Sequence, residues 1–112
     1  MTKWTRDFVM LAAPYRPRVK LDEPLRLDIL AVLPRPQRLA KGAMAWCTAR
    51  PDEDNIRKAV KDGLKDFWTD DSIVVCGSTL KVYAETGKEP KITVRIRSAR
   101  PPLVEALETV IM

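Results

Sequence analysis

The chain has 112 residues, with 20 lysines and arginines against 15 aspartates and glutamates, giving a net charge of +5. That length fits one domain with a modest core that dimerisation would support, and an apolar fraction of 46% argues against disorder. There is no histidine, which excludes Ser-His-Asp and Cys-His catalysis and argues against zinc, while no apolar run nears the roughly 20 residues needed to cross a bilayer.

The N-terminal stretch MTKWTRDFVMLAAPYRPR contains Asp7 and only a short apolar run, so it reads as part of the fold and not as a signal peptide. Residues 3 to 13 predict a helix with Phe8, Leu11 and Ala12 on one side and Trp4 one turn before Phe8; Pro14 and Pro17 end it. Leu25, Leu27, Ile29, Ala31 and Leu33 alternate as in a strand, which Pro34 and Pro36 stop. A basic loop follows, with Arg35, Arg38, Lys41 and Arg50 around Gly42 and Trp46. From Ile56 to Phe67, the residues Ile56, Ala59, Val60, Leu64 and Phe67 share one helical arc. That helix starts at Asp52 to Asn55 and runs about 15 residues, or about 22 Å. Asp70 and Asp71 predict a turn, and residues 72–76 a short strand. Residues 79–84 and 91–97 alternate on either side of Gly87 and Pro90, which predicts an antiparallel hairpin. The tail, residues 101–112, predicts a short helix with Leu103, Leu107 and Val110 on one side. The order implies an α+β fold, a small mixed or antiparallel sheet packed with helices, as one domain over residues 1–112. Cys47 and Cys76 lack CxxC spacing and read as reduced thiols of a cytosolic protein.

The chemistry concentrates in PDEDNIRKAVKDGLKDFWTDDSIVV, residues 51–75. Asp52 and Asp54 are two apart in an extended lead-in, so both carboxylates can point one way. Asp71 can join them only if the chain returns along the helix, and residues 67–69 leave a short return. Three carboxylates brought together repel unless a cation neutralises them; Mg2+ or Mn2+ suits such oxygen donors. Lys58, four residues after Asp54, falls on the same helical face, where an ammonium can stabilise charge on a phosphate. The same residues have plainer readings. Asp52 and Asp54 can cap the helix and complement its dipole, Lys58 can be a solvated lysine, and Asp70 and Asp71 can be turn residues.

The string P-D-x-D-N-x-x-K-x-x-x-D-x-L followed by D-D-S-x-V-V resembles the RusA family of Holliday junction resolvases, small homodimeric metal-dependent endonucleases of bacteria and their prophages. The likeness is strongest over residues 51–75 and extends more loosely from the Leu25 strand to Arg97. It implies a RusA-like homodimer in which Asp52, Asp54 and Asp71 bind Mg2+ and Lys58 is the catalytic lysine. Asp70 matches the less critical first member of the acidic pair. Arg35, Arg38 and Lys41, with Arg50 beyond them, fall where a positive segment meets DNA. Family members begin with a basic strand segment ahead of the first helix, whereas Met1 here falls almost at that helix; the segment is missing or the start shortened, and one sheet strand and some DNA contacts of the family pattern do not carry over by position.

The resemblance implies an endodeoxyribonuclease that resolves four-way DNA junctions by paired symmetric nicks in recombination and repair. Its expected partners are branched DNA and a second copy, with no membrane and no organic cofactor, in the cytoplasm of a bacterium or from a phage gene. An alternative is a catalytically inactive nucleic-acid-binding dimer of the same fold. A further one is a structural or regulatory dimer whose acids only cap helices.

Overall fold

Strand β1, Leu25–Leu33, is the centre of a five-stranded sheet. The computed structural model describes residues 3–99, with side chains from residue 6 onward; the predicted tail helix and the side chain of Trp4 lie outside them. Strict alternation along β1 buries Leu25, Leu27, Ile29 and Ala31, each 2% exposed or less. Onto this face pack Ile56 and Val60 of helix α2, Glu53–Gly63, and the Leu64, Phe67 and Trp68 that follow it. Each such side chain stabilises the fold by roughly 1.5–3 kcal/mol.

On one flank, β1 pairs antiparallel with β5, Lys91–Ser98, from Leu25↔Ser98 to Val32↔Lys91. On the other flank it pairs parallel with β3, Val74–Cys76, and then with β4, Thr79–Tyr83. The expected hairpin of residues 79–84 and 91–97 is therefore not formed: β4 and β5 lie on opposite sides of β1. Both alternate as a hairpin would, but their inward faces are completed by β1. Ile92, Val94 and Ile96 face Ala31, Ile29 and Leu27 across the ladder. A two-residue strand, β2, Ala45–Trp46, adds antiparallel to the outside of β4 within the predicted basic loop.

Gly77 joins β3 to β4. It takes φ +139°, and a Cβ there would stand 1.7 Å from the Leu27 carbonyl oxygen. Only glycine lets the two parallel segments press against β1 as one bulged strand.

Helix α1, Lys3–Ala12, runs on into a 3-10 turn, Ala13–Tyr15, where Pro14 sits. It approaches α2 through Phe8, whose ring would lie 2.6 Å from a Cβ on Gly63. Phe8 and Ala12 reach the core as expected, whereas Leu11 stays 74% exposed. Helix α2 is shorter than the expected 15 residues, spanning 11, because the chain turns at Leu64, whose N–H bonds back to Val60 and Lys61. Residues 71–73 form a 3-10 turn ahead of β3. Among the described residues, no helix is long and apolar enough to cross a membrane.

Candidate active site

Asp52 is the residue ahead of α2, with extended backbone, φ −68° and ψ 154°. Its side chain makes no capping hydrogen bond, so its carboxylate stays exposed in front of the helix. Asp54 is also exposed, and its Oδ1 accepts the Asn55 N–H at 3.0 Å. Glu53 lies between them, so three acids crowd the positive end of the helix dipole. Lys58 stands exposed one turn along α2 from Asp54.

Two cations that the motif does not single out hold this end in place. Lys81, from β4, donates to the carbonyls of Ala49 and Pro51, the latter at 2.7 Å, and so fixes the segment leading into Asp52. Arg57 turns inward from α2. It donates to the Leu27 carbonyl at 2.9 Å, the Cys76 carbonyl at 3.3 Å and the Thr79 hydroxyl at 3.4 Å, pinning the helix to the seam where β3 passes into β4. Their signal in the sequence is faint: a cation beside Ile56 and another inside an alternating strand.

Asp71 lies elsewhere. Its Oδ1 accepts the indole N–H of buried Trp68 at 2.7 Å, just ahead of β3. Trp68 in turn bridges to Leu21, upstream of β1. Val74 of β3 faces Leu25, while Lys81, which holds the 49–51 segment, faces Ala31. Those anchor points are six residues apart along β1, about 20 Å. The chain after α2 thus continues beside the start of β1 instead of returning to Asp52. Among the described residues, no three acids or thiols come together closely enough to hold a metal. Asp52 and Asp54 are hard oxygen donors of the kind Mg2+ takes, but Asp71 is not beside them, and the expected three-carboxylate cluster is not assembled in this conformation.

Asp70 caps the 3-10 turn. It accepts the Ser72 hydroxyl and, at 3.3 Å, the Ser72 N–H, and these bonds lower its pKa. In the basic loop, Arg35 does not project to solvent as a DNA contact would. Its guanidinium donates to the carbonyls of Ala40, Ala43 and Ala84, at 3.2, 2.7 and 3.1 Å, and organises the loop. Arg38, Lys41 and Arg50 are exposed.

The two helices pack on one face of the sheet, and Arg26, Arg95 and Arg97 project from the opposite face beside Asp28. The Asp28 carboxylate accepts Arg26 Nε at 2.9 Å, the Ser78 N–H at 3.0 Å and hydroxyl at 2.9 Å, and Arg97 at 3.1 Å. The Arg26 bond, followed by those from Ser78 and Arg97, holds its pKa well below the usual carboxylate range.

The chain is 32% identical over 107 residues to the uncharacterised protein YqaN of Bacillus subtilis strain 168, covering 86% of this chain and 73% of that protein. The sequence profile of the family described as endodeoxyribonuclease RusA matches residues 1–97, which include both helices, the first four strands, β5 up to Arg97 and the Asp52–Lys58 motif. The chain belongs to the RusA family of endodeoxyribonucleases.

Proposed function

We propose that the protein, as one catalytic domain, resolves four-way DNA junctions as a homodimer by paired symmetric nicks in recombination and repair, in the cytoplasm of a bacterium. The observation that carries this reading is the family match over residues 1–97, with Asp52, Asp54 and Lys58 of its motif exposed together at one end of α2. A two-fold dimer presents two equivalent sites to two strands of a two-fold junction. Exposed Arg38, Lys41 and Arg50 hold the phosphates, with binding that weakens as salt rises. Selectivity comes from junction shape and deformability more than from base contacts.

Metal dependence belongs to the same proposal. Asp52 and Asp54 are the carboxylates that offer themselves to Mg2+ or Mn2+, and Asp71 is the expected third ligand. A hard divalent ion supplies charge to a phosphoryl oxygen and lowers the pKa of water. The protein's part is positional. Lys81 and Arg57 hold the Asp52 end of α2, Lys58 offers an ammonium to charge developing on the scissile phosphate, and Asp71 must release the Trp68 indole to approach the pair.

The test is nicking of a synthetic four-way junction by wild type and Asp54→Asn, with Mg2+ and with EDTA, beside a gel shift in EDTA. Nicking that needs both Mg2+ and Asp54, with binding retained throughout, is the expected result. Binding without nicking under every metal condition identifies the catalytically inactive junction-binding dimer instead.

A further inference from the structure

The sheet has a second face, away from the helices. Along β5, Lys91, Thr93, Arg95 and Arg97 alternate with the inward Ile92, Val94 and Ile96, so all four point to that face, and all four are exposed. The row from Lys91 to Arg97 is about 20 Å long. Across the ladder Arg97 stands opposite Arg26, and Arg95 opposite Asp28. Among the described strand residues Asp28 is the only acid. The exposed apolar side chains of this face, Leu80 and Trp46, belong to β4 and β2, on the far side of β1 from the row.

Two arginines directly opposite each other on a sheet repel. Asp28 bridges this pair, and in doing so fills its acceptor sites. Its Oδ2 takes Arg26 and Arg97, and its Oδ1 takes the Ser78 N–H and hydroxyl, while an ionised carboxylate has about four such sites. Nothing is left for Arg95. Among the described residues its guanidinium makes no hydrogen bond or ion pair, and neither does the Lys91 ammonium. Four cations therefore face outward around one saturated carboxylate.

That surplus of charge selects the occupant. A second copy meeting this face across a two-fold axis would set the row against itself, and like charges brought together oppose association. A phosphate backbone supplies what the row lacks. Guanidinium forks take phosphate oxygens in pairs, and the Thr93 hydroxyl adds a donor between the cations. A DNA strand carries a charge every 3.4 Å or so along the helix axis, so a row of about 20 Å faces about six phosphates.

We propose that Lys91, Thr93, Arg95 and Arg97, with Arg26 beside them, form a second DNA-binding surface that holds the phosphate backbone of a duplex arm on the side of the sheet away from α2. The choice of DNA among polyanions rests on the nuclease reading above.

The test measures affinity for a synthetic four-way junction in EDTA over a range of salt concentrations. It compares wild type, Lys91→Gln, Arg95→Gln, their double variant, and Lys65→Gln, which removes one exposed charge just after α2. Each single substitution in the row is expected to reduce the slope of log affinity against log salt by about 1, and the double by about 2. At low salt the double variant is expected to bind about 10-fold more weakly, with Tm unchanged. Lys65→Gln is expected to leave the slope as it is. Row variants with an unaltered slope overturn the proposal, as does an equal fall in Lys65→Gln, which makes bulk charge the cause. A change of oligomeric mass in the double variant, read by sedimentation, assigns the face to a second copy and also overturns it. Nicking by wild type in Mg2+ is scored separately: its absence removes the nuclease reading, while the salt slopes still decide the row.

Discussion

The indole N–H of Trp68 donates to the Asp71 carboxylate at 2.7 Å, tying a side chain only 1% exposed to an acid at the surface. Asp71→Ala leaves that buried N–H without an acceptor, at a cost of about 1–3 kcal/mol, whereas Asp71→Asn keeps an oxygen for it and costs less. Urea unfolding of the two variants checks the order. Junction cleavage by the stable Asn variant then separates two roles. A fall of about 100-fold or more makes the carboxylate part of the chemistry, and full activity confines Asp71 to holding Trp68.

Lys58 is exposed and one turn beyond Asp54. If it acts on the transition state, Lys58→Ala lowers single-turnover cleavage about 10²- to 10³-fold while junction affinity and Tm hardly move. Cleavage time courses beside gel shifts decide the matter. Equal loss of rate and affinity would make Lys58 an ordinary phosphate contact.

Lys81 reaches the Asp52 end of α2 through the backbone, by the carbonyls of Ala49 and Pro51. Lys81→Met keeps the length of the side chain and removes the donor. The expected outcome is a loss of about 1 kcal/mol in stability and a rise in the Mg2+ concentration for half-maximal cleavage, read from a metal titration. An unchanged titration curve would remove Lys81 from the positioning of Asp52.

Gly77→Ala tests the seam between β3 and β4. The new Cβ would collide with the Leu27 carbonyl oxygen at 1.7 Å, in a backbone conformation that side chains rarely adopt. A loss of more than about 3 kcal/mol by chemical denaturation is expected, because backbone, not a pliant side chain, stands in the way.

Asp28 contributes to the acid limb of stability. Its folded pKa is depressed by Arg26, Ser78 and Arg97, so its contribution is complete above the unfolded value near 3.8 and is lost as pH falls below it toward the folded value. Asp28→Asn is expected to cost about 1–2 kcal/mol at pH 7. The gap between variant and wild type stays constant down to about pH 5 and closes in stronger acid. Urea midpoints measured from pH 7 to pH 2 give the curve.

Much of this was readable in the residues. The alternation from Leu25 to Leu33 and the arc from Ile56 to Phe67 marked β1 and α2, because each element buries a single face. The family followed from the Asp52–Lys58 string and the acidic pair at 70–71. Pairing was less legible: Thr79–Tyr83 and Lys91–Ser98 have the pattern of a hairpin, and nothing local reports that a strand some 50 residues earlier lies between them. The two residues of β2 are too few to display a period. At the candidate site, the string placed Asp52, Asp54 and Lys58 on one end of a helix. It did not disclose that Trp68 holds Asp71 beside the start of β1, nor that Arg35 is engaged by the carbonyls of Ala40 and Ala43 in its own loop and of Ala84 after β4. Such partners are set by tertiary contacts, which spacing does not encode.

The central position of β1 also governs how the chain is made. Leu25 meets Val74 of β3 on one side but its partner on the other side, Ser98, comes 73 residues after it, and at roughly 5–20 residues per second that is a wait of about 4–15 s on the ribosome. Throughout that interval a run of leucine and isoleucine has no finished sheet to enter. Nascent chains stalled before β5 should therefore remain sensitive to protease and attractive to chaperones, and acquire resistance together once the last strand clears the exit tunnel.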